Sequence, residues 1–248
     1  MPQPSWIAAP WPVPKNIIAG TTTRYGGVSQ APYDSFNLAD HCGDHPDHVR
    51  KNRQILQDKL QLPSEPCWLE QIHSNTVINL DAKQTFPIQA DAAFSASKGV
   101  VCAVLTADCL PILLCHQAGT SIAAIHAGWR GLCCGIIPNT IAALSEAPAN
   151  YLAWLGPAIS QAAYQVGQDV YDAFTLIDPI YQEAFIGDGD SHYRFDMYKV
   201  ATQQLHKSGI TAIYGGEFCT YQQAMFYSYR RDKQTGRMAT LIFQQEAC

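Results

Sequence analysis

The feature that most constrains this chain is its apolar centre. Residues 100–106, 112–116 and 122–126 are aliphatic runs separated by short polar breaks, the first of which holds Asp108 and Pro111. The last two runs are rich in the β-branched and aliphatic residues that suit strands buried on both faces. A membrane helix needs ~18 uninterrupted apolar residues, and Asp108 and Pro111 interrupt the longest candidate, so the stretch reads as the core of a sheet. The whole chain has 248 residues, 47% of them apolar and 15% charged, a globular balance that excludes disorder as a general description.

Around this centre the pattern interleaves strands and helices. Residues 17–23 read as a strand leading to the Gly26-Gly27 turn. Pro46 suits a first helical turn, and Val49, Leu56 and Leu60 fall near one helix face. Further strands are expected at 67–72, 76–79, 151–155, 212–214, 225–229 and 238–243. Helices are expected at 131–145, despite Pro138, and at 166–176. Asp196 as N-cap and Gly209 past the last turn bracket one more. No repeat, linker or composition shift marks a boundary, so residues 1–248 read as one domain of the α/β or α+β class with buried sheets.

Lys plus Arg is 16 against 21 for Asp plus Glu, a formal charge of −5. That balance offers no basic field to nucleic acid or an anionic membrane. The start of the chain, punctuated by Pro2 and Pro4, has no basic n-region followed by an apolar stretch, so a cytoplasmic protein is expected. The nine cysteines are odd in number and irregular in spacing, which suits reduced, buried thiols better than a disulfide framework.

Chemistry concentrates in three segments where an apolar run gives way to Gly, Pro, Ser or Asn: Gln71-Ile72-His73-Ser74-Asn75, Thr106-Ala107-Asp108-Cys109-Leu110-Pro111 and Ile125-His126-Ala127-Gly128-Trp129-Arg130-Gly131. Strand ends are where α/β proteins place their sites. One thiolate and two imidazoles make a set suited to zinc with a fourth position open. Taken singly, a cysteine such as Cys109 is more often a packed core thiol, and a histidine such as His73 or His126 more often a satisfied strand-end residue. Their spacing matches no short-range metal motif.

These segments occur together with Gly20-Thr21-Thr22-Thr23-Arg24-Tyr25-Gly26-Gly27-Val28-Ser29, Phe36-Asn37-Leu38, Ala90-Asp91-Ala92, Gly156-Pro157-Ala158-Ile159 and Phe226-Tyr227-Ser228-Tyr229-Arg230-Arg231. In that combination the chain resembles the bacterial YfiH family, also called the polyphenol oxidase or laccase-domain family, over nearly its whole length. The resemblance implies a four-layer α/β/β/α sandwich with mixed sheets. It also implies a purine nucleoside phosphorylase with adenosine deaminase and methylthioadenosine phosphorylase activities, whose partners are purine nucleosides and phosphate. The family's metal ligands map onto His73, Cys109 and His126, with zinc expected and copper as the alternative.

The substrate-binding expectation falls on Arg24, Asn37 and Arg130. Arg24 and Arg130 adjoin Gly-rich turns, and a guanidinium suits bidentate phosphate contact; Arg230 and Arg231 would serve equally. Asp108, beside Cys109, is expected to act with it in catalysis, as a base or as an orienter of a ligand histidine. A cap on the turn before Pro111 is its other reading, because successive strand residues face opposite ways. Three other activities stand as alternatives: a cysteine hydrolase using Cys109 and His126, a muropeptide-editing enzyme, and a copper polyphenol oxidase. For the last, 8 His and 4 Met with no paired His-x-His segment offer few ligands.

Overall fold

The computed structural model describes residues 5–85 and 87–245; Pro2, Pro4 and Cys248 lie outside the described residues. In chain order the strands are β1 (Trp6–Ala8), β2 (Ile17–Thr22), β3 (Val77–Asn79), β4 (Ala92–Ser95), β5 (Val101–Thr106), β6 (Leu110–His116), β7 (Ile122–Ala127), β8 (Tyr151–Leu155), β9 (Gln165–Gly167), β10 (Phe185–Gly187), β11 (His192–Phe195), β12 (Ala212–Gly215) and β13 (Met238–Gln244). The helices are α1 (Pro46–Leu60), α2 (Trp129–Cys133), α3 (Ile136–Ala143), α4 (Gln168–Thr175), α5 (Met197–Lys207) and α6 (Tyr229–Asp232).

Two large sheets carry the fold. One is four-stranded and antiparallel, in the order β1-β2-β13-β5. The other is six-stranded and mixed, in the order β12-β8-β6-β7-β4-β3, with β12/β8 and β3/β4 parallel. A small sheet, β10-β11-β9, sits apart from them in the hydrogen-bond ladder.

Period two in the central strands shows how the layers stack. On β6, Leu110, Ile112 and Leu114 pack with α2, α3, α4 and α5, whereas Leu113 and Cys115 pack against Ile17, Cys102, Val104 and Ile242 of the four-stranded sheet. The far face of that sheet, through Ala103, Leu105, Leu241 and Phe243, meets Leu56 of α1. The order is helix, sheet, sheet, helices: the four-layer α/β/β/α sandwich that the resemblance implies, with the six-stranded sheet mixed and the four-stranded one antiparallel. Trp154 is the largest of the wholly buried side chains between the sheets. No helix among the described residues is long and apolar enough to cross a membrane.

Some local expectations are corrected. Residues 67–72 form only two isolated bridges, Cys67 to Cys102 and Glu70 to Gln89, rather than a strand. The helix expected over 131–145 is two helices, because Gly135 takes a left-handed conformation (φ 85°) and starts α3 afresh with Pro138 in its first turn. The helix expected from residue 166 begins only at Gln168, since Gln165–Gly167 pairs with β11. Residues 225–229 are no strand: the Ser228 hydroxyl accepts the Arg231 N–H at 3.2 Å and caps α6. Elsewhere β2, α1, β8, α5, β12 and β13 lie within a residue or two of expectation.

Candidate functional site

Strand β5 belongs to one large sheet and β6 to the other, so Ala107, Asp108 and Cys109 are the crossover between the two layers. Side-chain alternation then decides which way the neighbouring residues face. Cys109 shares the parity of Leu113 and Cys115, and His126 that of Ile122 and Ala124, so both belong to the side of the six-stranded sheet that meets the other sheet. Asp108 would face away if the strand continued, but its φ of 92° breaks the alternation, and Asp108 and Cys109 line the same cavity. His73 comes from the loop before β3, in a left-handed turn (φ 59°). Gln71 holds that loop to the end of β5, donating to the Leu105 carbonyl at 2.9 Å and accepting its N–H at 2.7 Å.

The ligand atoms of His73, Cys109 and His126 lie within 4.8 Å of one another, the one group of this kind among the described residues. Cys109 Sγ is 3.9 Å from His73 Nε2, and the two imidazoles meet edge to face with centroids 4.8 Å apart. His126 Nδ1 is 2.8 Å from Asp91 Oδ1, which assigns the ring proton to Nδ1 and leaves Nε2 as a ligand atom. Gly128 keeps the space open: a Cβ there would stand 3.1 Å from both Cys109 Sγ and His73 Cδ2. A soft sulfur donor, two imidazoles and an unfilled side suit a borderline ion such as zinc. His73, Cys109 and His126 therefore fit a metal.

Burial raises the Cys109 thiol, but His126 first and then His73 outweigh it, bringing it down to about 6. Burial lowers His126, and Cys109 and Asp91 outweigh that, bringing it up to about 9. Burial pushes Cys115 up to about 12 and Cys102 well above the usual thiol range. In metal-free protein, alkylation of Cys109 by iodoacetamide should therefore rise with pH about a midpoint near 6, with Cys102 and Cys115 inert until unfolding. Peptide mass mapping across pH checks this; an ordinary thiol midpoint at Cys109 would contradict it.

Over the cluster lies a cavity of about 500 Å³, lined among others by Trp129, Arg130, Tyr164, Tyr229, Arg230 and Arg237. Arg24, Arg50, Arg53, Arg194 and Arg231 each have a carboxylate at ion-pair distance. Arg130, Arg230 and Arg237 have none among the described residues, and all three line the cavity. Each lies over an aromatic ring: Arg130 over Trp129 at 4.3 Å, Arg230 over Tyr164 at 5.1 Å and Arg237 over Tyr229 at 6.0 Å. Three guanidiniums without a carboxylate at ion-pair distance thus line one cavity, beside Asp108 and Cys109, in a chain of net charge −5.

The other expected residues stand differently. Arg24 does not line the cavity; its guanidinium faces Asp34 at 3.3 Å and Asp232 at 3.9 Å. Asn37 is wholly buried, donating to the Ala39 carbonyl and Asp44 and accepting the N–H groups of Ala39 and Arg237, so it shapes the chain next to Arg237. Both Asp108 oxygens are engaged at 2.6 Å, one by the Thr220 hydroxyl and the other by the Arg230 N–H. Arg231 spends its guanidinium on the carbonyls of Thr220, Tyr221 and Phe226 and on Asp232. Sequence reasoning missed Arg237, whose signal is tertiary, and gave Asp91 no role although its motif stood out.

The chain matches the family described as multi-copper polyphenol oxidoreductase laccase over residues 18–245. It is 50% identical over 238 residues to the purine nucleoside phosphorylase YfiH of Escherichia coli, and likewise to that of Shigella flexneri, covering 96% of this chain and 98% of either relative. The crystal structure of Neisseria meningitidis protein NMB0706 superposes with a TM-score of 0.92 at 46% identity, covering 98% of this chain and 100% of that one. With the fold, the crossover cluster and near-complete coverage in agreement, the chain belongs to this laccase-domain family, the family of YfiH.

Proposed function

We propose that this protein is a zinc-dependent purine nucleoside phosphorylase that takes adenosine, inosine, guanosine and methylthioadenosine, and that the same site deaminates adenosine. The observation that carries the reading is the convergence of three guanidiniums without carboxylate partners on the cavity that the His73–Cys109–His126 cluster floors. The relatives named as purine nucleoside phosphorylases support it.

In phosphorolysis a phosphate oxygen bonds to C1′ of the ribose as the glycosidic C–N bond breaks. Its electron pair goes to the purine, which takes up a proton, and the products are free base and ribose 1-phosphate. Arg130 and Arg230, which line the cavity with Tyr164, hold the phosphate against C1′ and offset its charge. Arg237 extends the same positive field along the cavity. The exposed face of Tyr229 offers a stacking surface for the base. Asp108 fixes the Arg230 backbone to the end of the crossover and so sets where that guanidinium sits.

His73, Cys109 and His126 would hold zinc, which when bound supplies a Lewis acid and an activated water for deamination. Arg24 and Asn37 act on the substrate through the scaffold they tie together. The reading is tested by following free base released from inosine with and without inorganic phosphate: release that needs phosphate supports it, and equal release without phosphate contradicts it.

A second reading has one observation in its favour. Asp91, His126 and Cys109 follow one another as orienter, base and nucleophile, the arrangement of a cysteine hydrolase. Metal content separates it from the first.

A further inference from the structure

The centre proposed above has two histidine ligands on separate segments, and one side chain outside the ligand set, Asp91, bonds both segments. Asp91 lies just before β4 and is wholly buried. Its Oδ1 accepts His126 Nδ1–H at 2.8 Å and the His73 backbone N–H at 3.0 Å. Its Oδ2 accepts the Ser74 backbone N–H at 2.6 Å and the Ser74 hydroxyl at 2.8 Å. Every one of these donors belongs to a ligand histidine or its immediate neighbour. The Asp91 carbonyl also accepts the His126 backbone N–H at 2.7 Å, so His126 is tied by side chain and main chain alike.

Two physical consequences follow. An ionised carboxylate only accepts, so it keeps a proton on His126 Nδ1 and leaves Nε2 as the ring atom that faces the cluster. The His73 turn is left-handed, a conformation uncommon outside glycine, and the successive N–H groups of His73 and Ser74 form a concavity of the anion-binding type. The carboxylate fills it. Holding that turn is what keeps His73 Nε2 within reach of Cys109.

We propose that Asp91 is the positioning residue of the centre: one buried carboxylate that fixes the tautomer of His126 and the turn carrying His73, so that two ligands from distant segments are set in one geometry before a metal binds. The proposal rests on the metal reading of the cluster. It also accounts for the Ala90-Asp91-Ala92 segment, which the reaction itself leaves without a role. The small flanking alanines, both wholly buried, let the strand start pack close beneath the site.

The test is zinc affinity of the metal-stripped full-length chain, measured by competition with a chromophoric chelator, beside the thermal unfolding of the metal-free form. Asp91→Asn keeps the size of the side chain but turns an NH2 group toward donors. It is expected to bind zinc about 10–100-fold more weakly than wild type, as loss of such an orienting partner does elsewhere. Equal zinc affinity, with only the unfolding midpoint lowered, would show a purely structural residue and overturn the proposal. Should the variant not fold, the ring nitrogens of His126 in zinc-loaded wild type decide by NMR. Metal on Nε2 with a protected, low-field Nδ1 proton supports the proposal, and metal on Nδ1 overturns it. A wild-type chain that takes up no zinc overturns the metal reading instead, and does so before any variant is compared.

Discussion

Cys109→Ser is expected to lower zinc affinity more than about a hundredfold and to remove phosphorolysis with it, because a serine hydroxyl is a far poorer zinc ligand than a thiolate. Cys133→Ser and Cys134→Ser are the matched controls. Cys133 Sγ faces the Ala173 carbonyl at 3.7 Å, and Cys134 is exposed where α2 ends, so both variants should keep metal and activity near wild type. Zinc stoichiometry and phosphate-dependent base release, measured on the same preparations, check the pair. Full metal retention with abolished activity in Cys109→Ser would favour the nucleophile reading.

Arg130→Ala and Arg230→Ala should each raise the phosphate KM or lower the phosphorolysis rate by on the order of tenfold or more, since a charged hydrogen bond contributes roughly 1.5–3 kcal/mol. Adenosine deamination, which adds water rather than an anion, should fall less. Arg24→Ala separates scaffold from site: losing the contacts to Asp34 and Asp232 should lower both reactions in proportion. Initial rates of both reactions against phosphate concentration check this. Equal losses of both reactions in Arg130→Ala and Arg230→Ala, with metal content unchanged, would leave neither as a phosphate ligand.

Much of the sandwich is legible in the chain because its central strands are covered on both faces and therefore written almost without polar residues. Helix α5 is legible for a different reason: the Asp196 carboxylate accepts the Lys199 N–H at 3.0 Å, and Gly209 (φ 91°) follows the last turn, so both ends are encoded locally. The failures have tertiary causes. Residues 67–72 carry strand-like side chains, yet Gln71 there bonds the end of β5 instead of entering a ladder. Residues 225–229 are aromatic because Phe226 and Tyr227 fill a small core with Met238, and Ser228 then starts a helix.

The site divides in the same way. His73, Cys109 and His126 each mark a strand end in sequence, but nothing in their spacing says that β5 and β6 lie in different sheets. It is that crossover, with the left-handed turn at Asp108, that places Cys109 beside both imidazoles. Arg24 and Arg130 look alike in sequence beside their glycines. What separates them is a carboxylate, Asp34, that the fold brings to one and not to the other.

The measurement that tests this account most directly is the metal content of the active full-length chain, purified without added metal, by elemental mass spectrometry beside phosphate-dependent base release from inosine. The account predicts about one zinc per chain, lost on chelation together with the activity and restored with it by zinc. Full phosphorolysis by a chain carrying no metal, or by one whose metal is copper and cannot be replaced by zinc, would contradict it.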